Sequence, residues 1–348
     1  MIEAHTLDAW TRESSRYAVA FRNATILGGF AAPLFLWLAG IGVVLSAGRT
    51  AERTGSRAAA VEAACRRGLE IFVLAFLFRV QAFVLSPGSH PVTLFRVDIL
   101  NVMGPAMAVA GLVWACSGTT TGRVVAFGTA AIAATMVTPV VRASSAVDAL
   151  PTWLQWYLRP AGEHTTFTLL PWAGFVFAGG ATGVLIAAAR DVTSERRLQI
   201  AIAIAGALLI ALGFYTAARP SIYRNAFFWT SSPTWFAIRV GLLMLALAAL
   251  AFVERLATRA GSSTMDWWRT PLGTLGRASL FVYWIHVELV YGYASWVIHR
   301  SLPLWGTAIA YAVFVVLMYH VVVLRNRYFA GGFRLARAAV PARQNAIR

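Results

Sequence analysis

Apolar residues along this chain come in runs of about 20, long enough to cross the hydrocarbon of a bilayer. They fall at roughly 24–48, 68–86, 96–116, 122–141, 168–189, 198–218, 234–253, 271–291 and 304–324, with polar stretches between them. The runs lack period-two alternation, and a helix satisfies its own backbone groups where lipid offers no partners, so helices are expected rather than barrel strands. The pattern predicts an all-α, polytopic transmembrane helix bundle of about nine helices. It forms one domain over 1–348, with the bundle at 24–324 and a basic tail at 325–348. No soluble domain or internal repeat is evident.

Composition sharpens this picture. Hydrophobic residues make up 59% of the 348 and charged residues 13%, and the mean hydropathy is +0.66, which marks an integral membrane protein. All 30 basic residues are arginine. The absence of lysine excludes a Schiff-base or phosphate-loop lysine and points to a GC-rich bacterial genome, hence to a bacterial inner membrane. The net charge of +16 does not indicate nucleic acid, because the arginines alternate with membrane-length runs, as the positive-inside rule requires. Cys65 and Cys116 have neither paired nor metal-ligand spacing and read as packing residues, with no metal expected.

The arginines also orient the chain. Arg49, Arg53, Arg57, Arg66 and Arg67, then Arg123, then Arg190, Arg196 and Arg197, then Arg255, Arg259, Arg269 and Arg277, and six in the tail make about 19 of the 30. This set is placed in the cytoplasm together with the C-terminus. The N-terminus then falls outside, although MIEAHTLDAW carries no signal peptide. "MIEAH" reads as the last turn of a helix whose beginning lies upstream, which predicts a tenth helix.

With that topology, ionisable groups gather at the extracytoplasmic level: Arg79, Arg96, Asp98, Arg239, His286, Glu288, and His5 with Asp8. Charge inside a membrane is costly, and its default reading is a functional cavity. Arg96 and Asp98 are two apart and need different partners. Asp98 and Asn101 share a helical face; Ser279, Tyr283 and His286 form another stripe, with Glu288, Trp284 and Tyr291 turned elsewhere. The bland readings differ. Arg79, Arg96 and Arg239 can snorkel, His286 can belong to an aromatic belt, and Asp98 is too short for either. His5 sits three residues before Asp8, where a carboxylate can orient a general base. His90, His164 and His299 lie in outer loops, and His320 reads as a packing residue. The stretch 150–166, with Trp153, Trp156 and Tyr157, reads as a surface helix that serves as a lid or an interfacial anchor.

Four segments together resemble one family. APLFLWLAGIGVVLSAGR, FRVDILNVMG, FTLLPWAGFVFAGGATG and LGRASLFVYWIHVELVYG are similar, in order and spacing, to the second-helix, fourth-helix, Leu-Pro-Trp and late-helix motifs of the heparan-alpha-glucosaminide N-acetyltransferase-like membrane proteins, within a wider superfamily of transmembrane acyltransferases. The resemblance implies ten or more helices and transfer of an acyl group, commonly acetyl from cytoplasmic acetyl-CoA, to a sugar amine or hydroxyl on the far side. It maps the family's outer first-helix histidine onto His5, its Arg-Asp pair onto Arg96 and Asp98, and its late histidine onto His286. The usual leading helix is absent, and Gly28, Gly29 and Phe30 stand where the eukaryotic branch has an acidic residue, which argues against a lysosomal-type heparan substrate.

The expectation is an acyltransferase in which His5, steered by Asp8, deprotonates the acceptor. Arg96 and His286 stabilise the oxyanion or grip the acceptor, and Asp98 holds an arginine in place. Asn101, Tyr283, Arg79 and Arg239 complete the acceptor-binding candidates. Arg66, Arg67 and Arg277 are candidates for the phosphates of acyl-CoA, or simply topology charges. A covalent acyl-histidine is left open. The alternatives are a transporter or flippase of a sugar- or lipid-linked substrate and a non-catalytic protein of the same fold.

Overall fold

The computed structural model describes residues 1–87, 90–259 and 270–338, except the side chains of residues 259 and 329–338. Arg269, Arg343 and Arg348, and the side chains of Arg259, Arg334 and Arg337, all counted in the predicted cytoplasmic set, lie outside what is described. Helices in chain order are α1 (Ile2–Trp10), α2 (Val19–Gly28), α3 (Ala31–Thr54), α4 (Arg57–Leu85), α5 (Ile99–Ala115), α6 (Thr120–Ala143) and α7 (Thr152–Leu158). They continue with α8 (Leu169–Ala188), α9 (Val192–Ala217), α10 (Pro233–Arg259), α11 (Pro271–Arg277), α12 (Ser279–Tyr291) and α13 (Leu304–Ala338).

Seven helical spans among the described residues are long and apolar enough to cross a membrane, and two shorter apolar helices, Ile99–Ala115 and Ser279–Tyr291, account for the remaining predicted runs. The chain is an all-α polytopic helical bundle. Leu208, Leu212 and Ile204 on α9 and Val313 and Val316 on α13 are more than half exposed, as expected of faces whose solvent is lipid rather than water.

Two details depart from the predicted boundaries. The stretch 49–67 is almost wholly helical rather than a loop, because its alanine, arginine and glutamate are strong helix formers that propagate α3 and α4 beyond the apolar run. In the same way α13 continues well past 324 into the predicted tail. Conversely, the run at 96–116 becomes helical only at Ile99. Arg96 follows a short 3-10 turn, Pro91–Phe95, and Val97 pairs in parallel with Thr165.

The chain forms two compact units. One comprises Met1–Gly28, Leu85–Pro87 and Gly261–Arg348; the other comprises Gly29–Val84 and Gly88–Ala260. In the first, α1 is tied to the segment before α13 by backbone bonds from Arg300 N to Ala9 O (2.8 Å), Leu302 N to Trp10 O (3.0 Å) and Arg12 N to Leu302 O (2.8 Å). Trp10 anchors this arrangement. Its ring packs edge-on to Phe314, its Nε1 donates to Val290 O at 3.3 Å, and Val282, Met318 and Val322 complete the cluster.

In the second unit the most extensive contacts are α9 with α10, α3 with α8 and α6 with α8. Small residues let α3 and α8 touch backbone to backbone. A Cβ on Gly40 would overlap Val176 O, and one on Gly179 would overlap Trp37 O, the close approach that drives helix association in lipid.

Candidate functional site

The first unit brings His5, Asp8, Tyr291 and His286 together. Helix α1 presents His5 and Asp8 one turn apart, and Tyr291 ends α12. Tyr291 donates its hydroxyl proton to Asp8 Oδ2 at 2.8 Å, and the Tyr291 hydroxyl oxygen lies 3.2 Å from His5 Nδ1. A phenol has one proton, so once it is given to Asp8 the contact with His5 places a proton on Nδ1 and leaves Nε2 as the basic nitrogen. Asp8 therefore orients His5 through Tyr291 and not directly. The helical-wheel reading had turned Tyr291 away from this group, but a long side chain on the last residue of α12 reaches back to α1. Asp8 is exposed, and it is also paired with Arg16 at 3.6 Å.

His286 is fully buried. Its Nδ1 lies 2.6 Å from Val282 O, and because a carbonyl only accepts, Nδ1 carries the proton and Nε2 the lone pair. Nε2 has no hydrogen-bond partner among the described residues, and the His286 ring stands 5.2 Å from that of His5. Tyr283 meets His286 edge-on at 5.9 Å, as the predicted stripe required. Glu288 is buried on the same helix.

The second unit gathers the other predicted group. Asp98 is the N-cap of α5: its Oδ1 accepts from Ile99 N at 2.6 Å, and Asn101 Oδ1 accepts from Asp98 N at 3.0 Å, closing a capping box. Its other oxygen pairs with Arg79. Arg96 donates instead to Thr166 Oγ1 at 3.1 Å. The two neighbours do take different partners, but from an extended segment rather than from one helix.

The stretch 150–166 lies over this group. Tyr157 on α7 meets Asn101 Nδ2 at 3.4 Å, Val97 N donates to His164 O at 2.9 Å, and His164 stacks on Trp156. Burial raises the pKa of the Tyr157 hydroxyl, although its contact with Asn101 opposes this. Tyr157 was legible only as part of a surface helix, read as a lid or an interfacial anchor.

Arg239 does not snorkel. It is 7% exposed, donates to Gly29 O and lies between the Phe30 and Trp235 rings, 4.7 Å from each centroid. Arg142 donates to Thr168 Oγ1 at 2.7 Å and to Thr230 Oγ1 at 3.4 Å, joining the end of α6 to the starts of α8 and α10. Arg66, Arg67 and Arg277 are exposed, and Arg67 is paired with Glu70 at 2.9 Å.

A family model described as heparan-alpha-glucosaminide N-acetyltransferase, catalytic, matches residues 6–220. The chain belongs to that family. A second model, OpgC protein, matches residues 124–329, so α12 with Tyr283, His286 and Tyr291 lies within the second match. Arg79, Arg96, Asp98 and Asn101 lie within the heparan-alpha-glucosaminide N-acetyltransferase match, which begins one residue after His5. No curated protein matches the chain. The two families together support a membrane protein of acyltransferase type.

Proposed function

We propose that this protein moves an acyl group, acetyl by the chemistry of its family's name, from a cytoplasmic acyl-CoA to a hydroxyl or amine of a sugar, envelope glycan or lipid, with His5 as the general base. The reading rests on the chain of contacts Asp8, Tyr291 and His5, which holds one imidazole in the tautomer whose Nε2 accepts a proton. The acceptor's O–H or N–H gives that proton to His5 as the oxygen or nitrogen attacks the thioester carbonyl. The C–S bond then breaks, and the coenzyme A thiolate takes the proton from the imidazolium. A positioned base of this kind contributes about 10²–10⁴ in rate.

In its present tautomer His286 offers a lone pair and not a donor. It is therefore suited to accept a hydrogen bond from the acceptor rather than to stabilise an oxyanion. The cytoplasmic side of the bilayer is assigned to the arginine-rich ends of α3 and α4, and with it the C-terminus; the membrane is taken as a bacterial inner membrane.

The test is acetyl-CoA turnover by the full chain in proteoliposomes supplied with envelope glycans, alongside mass spectrometry of the envelope with and without the protein. Acceptor-dependent release of coenzyme A, lost in His5→Ala, is the expected outcome. Acceptor crossing the bilayer with no acyl-CoA consumed would replace this reading by transport.

A further inference from the structure

A second polar feature of the Gly29–Val84 and Gly88–Ala260 unit takes no part in the groups above. The turn Cys116–Thr119 between α5 and α6 carries two arginines at close quarters. Arg123 lies 3.9 Å over the Trp114 ring and, among the described residues, hydrogen-bonds only through its Nε, donating to Trp114 O at 3.1 Å and Ser117 O at 3.0 Å. Arg57, the first residue of α4, rests its guanidinium on Gly118 so closely that a Cβ there would overlap it.

Both guanidiniums rest on the same turn, Arg57 on Gly118 and Arg123 on Ser117 O, and neither forms an ion pair with a described carboxylate. Arg57 forms no hydrogen bond with any described residue. The same turn carries two hydroxyls, Ser117 Oγ and Thr119 Oγ1, 3.3 Å apart. Two other exposed arginines of α3 and α4 are taken up within their own helices: Arg67 pairs with Glu70 and Arg49 donates to Leu45 O at 3.2 Å.

Two like charges held side by side by a stacking ring, two carbonyls and a glycine seat repel unless an anion lies between them. Planar guanidiniums suit the oxygens of a phosphate ester in particular. We infer that Arg57 and Arg123, with the Ser117–Thr119 turn, form a binding site for a phosphate ester. Two sources share this chemistry: the phosphates of a coenzyme A thioester and the headgroup of an anionic phospholipid. Only the first arm rests on the acyltransferase reading.

The experiment measures binding, not turnover, on the full chain in neutral-lipid nanodiscs. Adenosine 3′,5′-bisphosphate is titrated in one arm, and phosphatidylglycerol retained by the protein is read by native mass spectrometry in the other. Arg57→Gln and Gly118→Ala are compared with Arg49→Gln as the charge-matched control. Gly118→Ala keeps both charges and only unseats Arg57, and neither change touches a buried core. A loss of tenfold or more in nucleotide affinity in both variants, but not in the control, assigns the site to the coenzyme. The same pattern in retained phosphatidylglycerol assigns it to lipid. If neither ligand distinguishes Arg57→Gln and Gly118→Ala from the control, the site does not exist. A failure of His5→Ala to alter turnover leaves this outcome untouched.

Discussion

Asp98 has two obligations, one to each carboxylate oxygen. It caps α5 and it neutralises Arg79, with both side chains largely buried. Breaking such a pair from one side leaves a buried charge behind, typically at a cost of about 3–5 kcal/mol, and a lost cap adds about 1 kcal/mol. Asp98→Ala should therefore be among the most destabilising single changes in detergent-solubilised protein. Adding Arg79→Met should recover much of the loss, a non-additivity that thermal unfolding of the four variants can read. Tyr291 offers a different kind of test, because its role is to hold the tautomer of His5. Tyr291→Phe should keep the fold, lower turnover by about tenfold or more, and cost less than His5→Ala; equal turnover in Tyr291→Phe and wild type would remove the relay from the mechanism. Asp98 was legible because a short carboxylate in an apolar run must have a partner, whereas its partner Arg79 and the extended backbone before Ile99 were not. Tyr291 was missed for a related reason. It meets a residue 286 positions away in the chain, a distance that no spacing rule spans.

At the scale of elements, the nine apolar runs mark where helices lie, because run length is dictated by bilayer thickness. Their ends follow a different rule. Alanine, arginine and glutamate carry α3 and α4 past the apolar runs, α13 likewise continues beyond 324, and a break at Ala278 splits the run at 271–291 into α11 and α12. Hydropathy records none of this, since it weighs side chains and not backbone bonds. What binds α3 to α8 is equally silent in a hydropathy profile, being the absence of side chains at Gly40 and Gly179. Gly179→Leu should force these backbones apart and sharply reduce the yield of monodisperse protein, whereas Gly42→Ala, where a Cβ meets open space, should be neutral in the same size-exclusion assay. The start of α9 supplies a pH-dependent case outside the membrane. The backbone and then the side chain of Ser194 hold the carboxyl of Asp191 below the usual aspartate range, so the folded pKa is depressed. That contribution is present above the unfolded pKa and is lost as pH falls through the folded one. Exchange protection of the first turn of α9, corrected for intrinsic rates, should decline on acidification below the ordinary aspartate range, and the decline should be absent in Asp191→Ala.

For the molecule as a whole, helix ends that lie close together within a unit must share a membrane face, which sorts the ends of each unit into two sets. Arg57 against Gly118 puts the α3–α4 junction and the α5–α6 turn at one end of their unit. Arg142 with Thr168 and Thr230 gathers the end of α6 and the starts of α8 and α10. Successive spans of that unit therefore alternate between the two sets, and the positive-inside rule predicts that the arginine-rich set is cytoplasmic. Cys116 is a native reporter for this. It is exposed, in the α5–α6 turn, while Cys65 is half-buried with its Sγ against Ala108 O at 3.9 Å. In a Cys65→Ser background expressed in a bacterial host, a membrane-impermeant maleimide should leave Cys116 unlabelled in intact spheroplasts and label it after permeabilisation. Ser145→Cys, exposed just beyond α6, should label from outside with Cys116 replaced by serine. The reverse pattern would place the arginine-rich ends outside. Acyl-CoA made in the cytoplasm would then meet the wrong face of the bundle, and the proposed direction of transfer would fail with it.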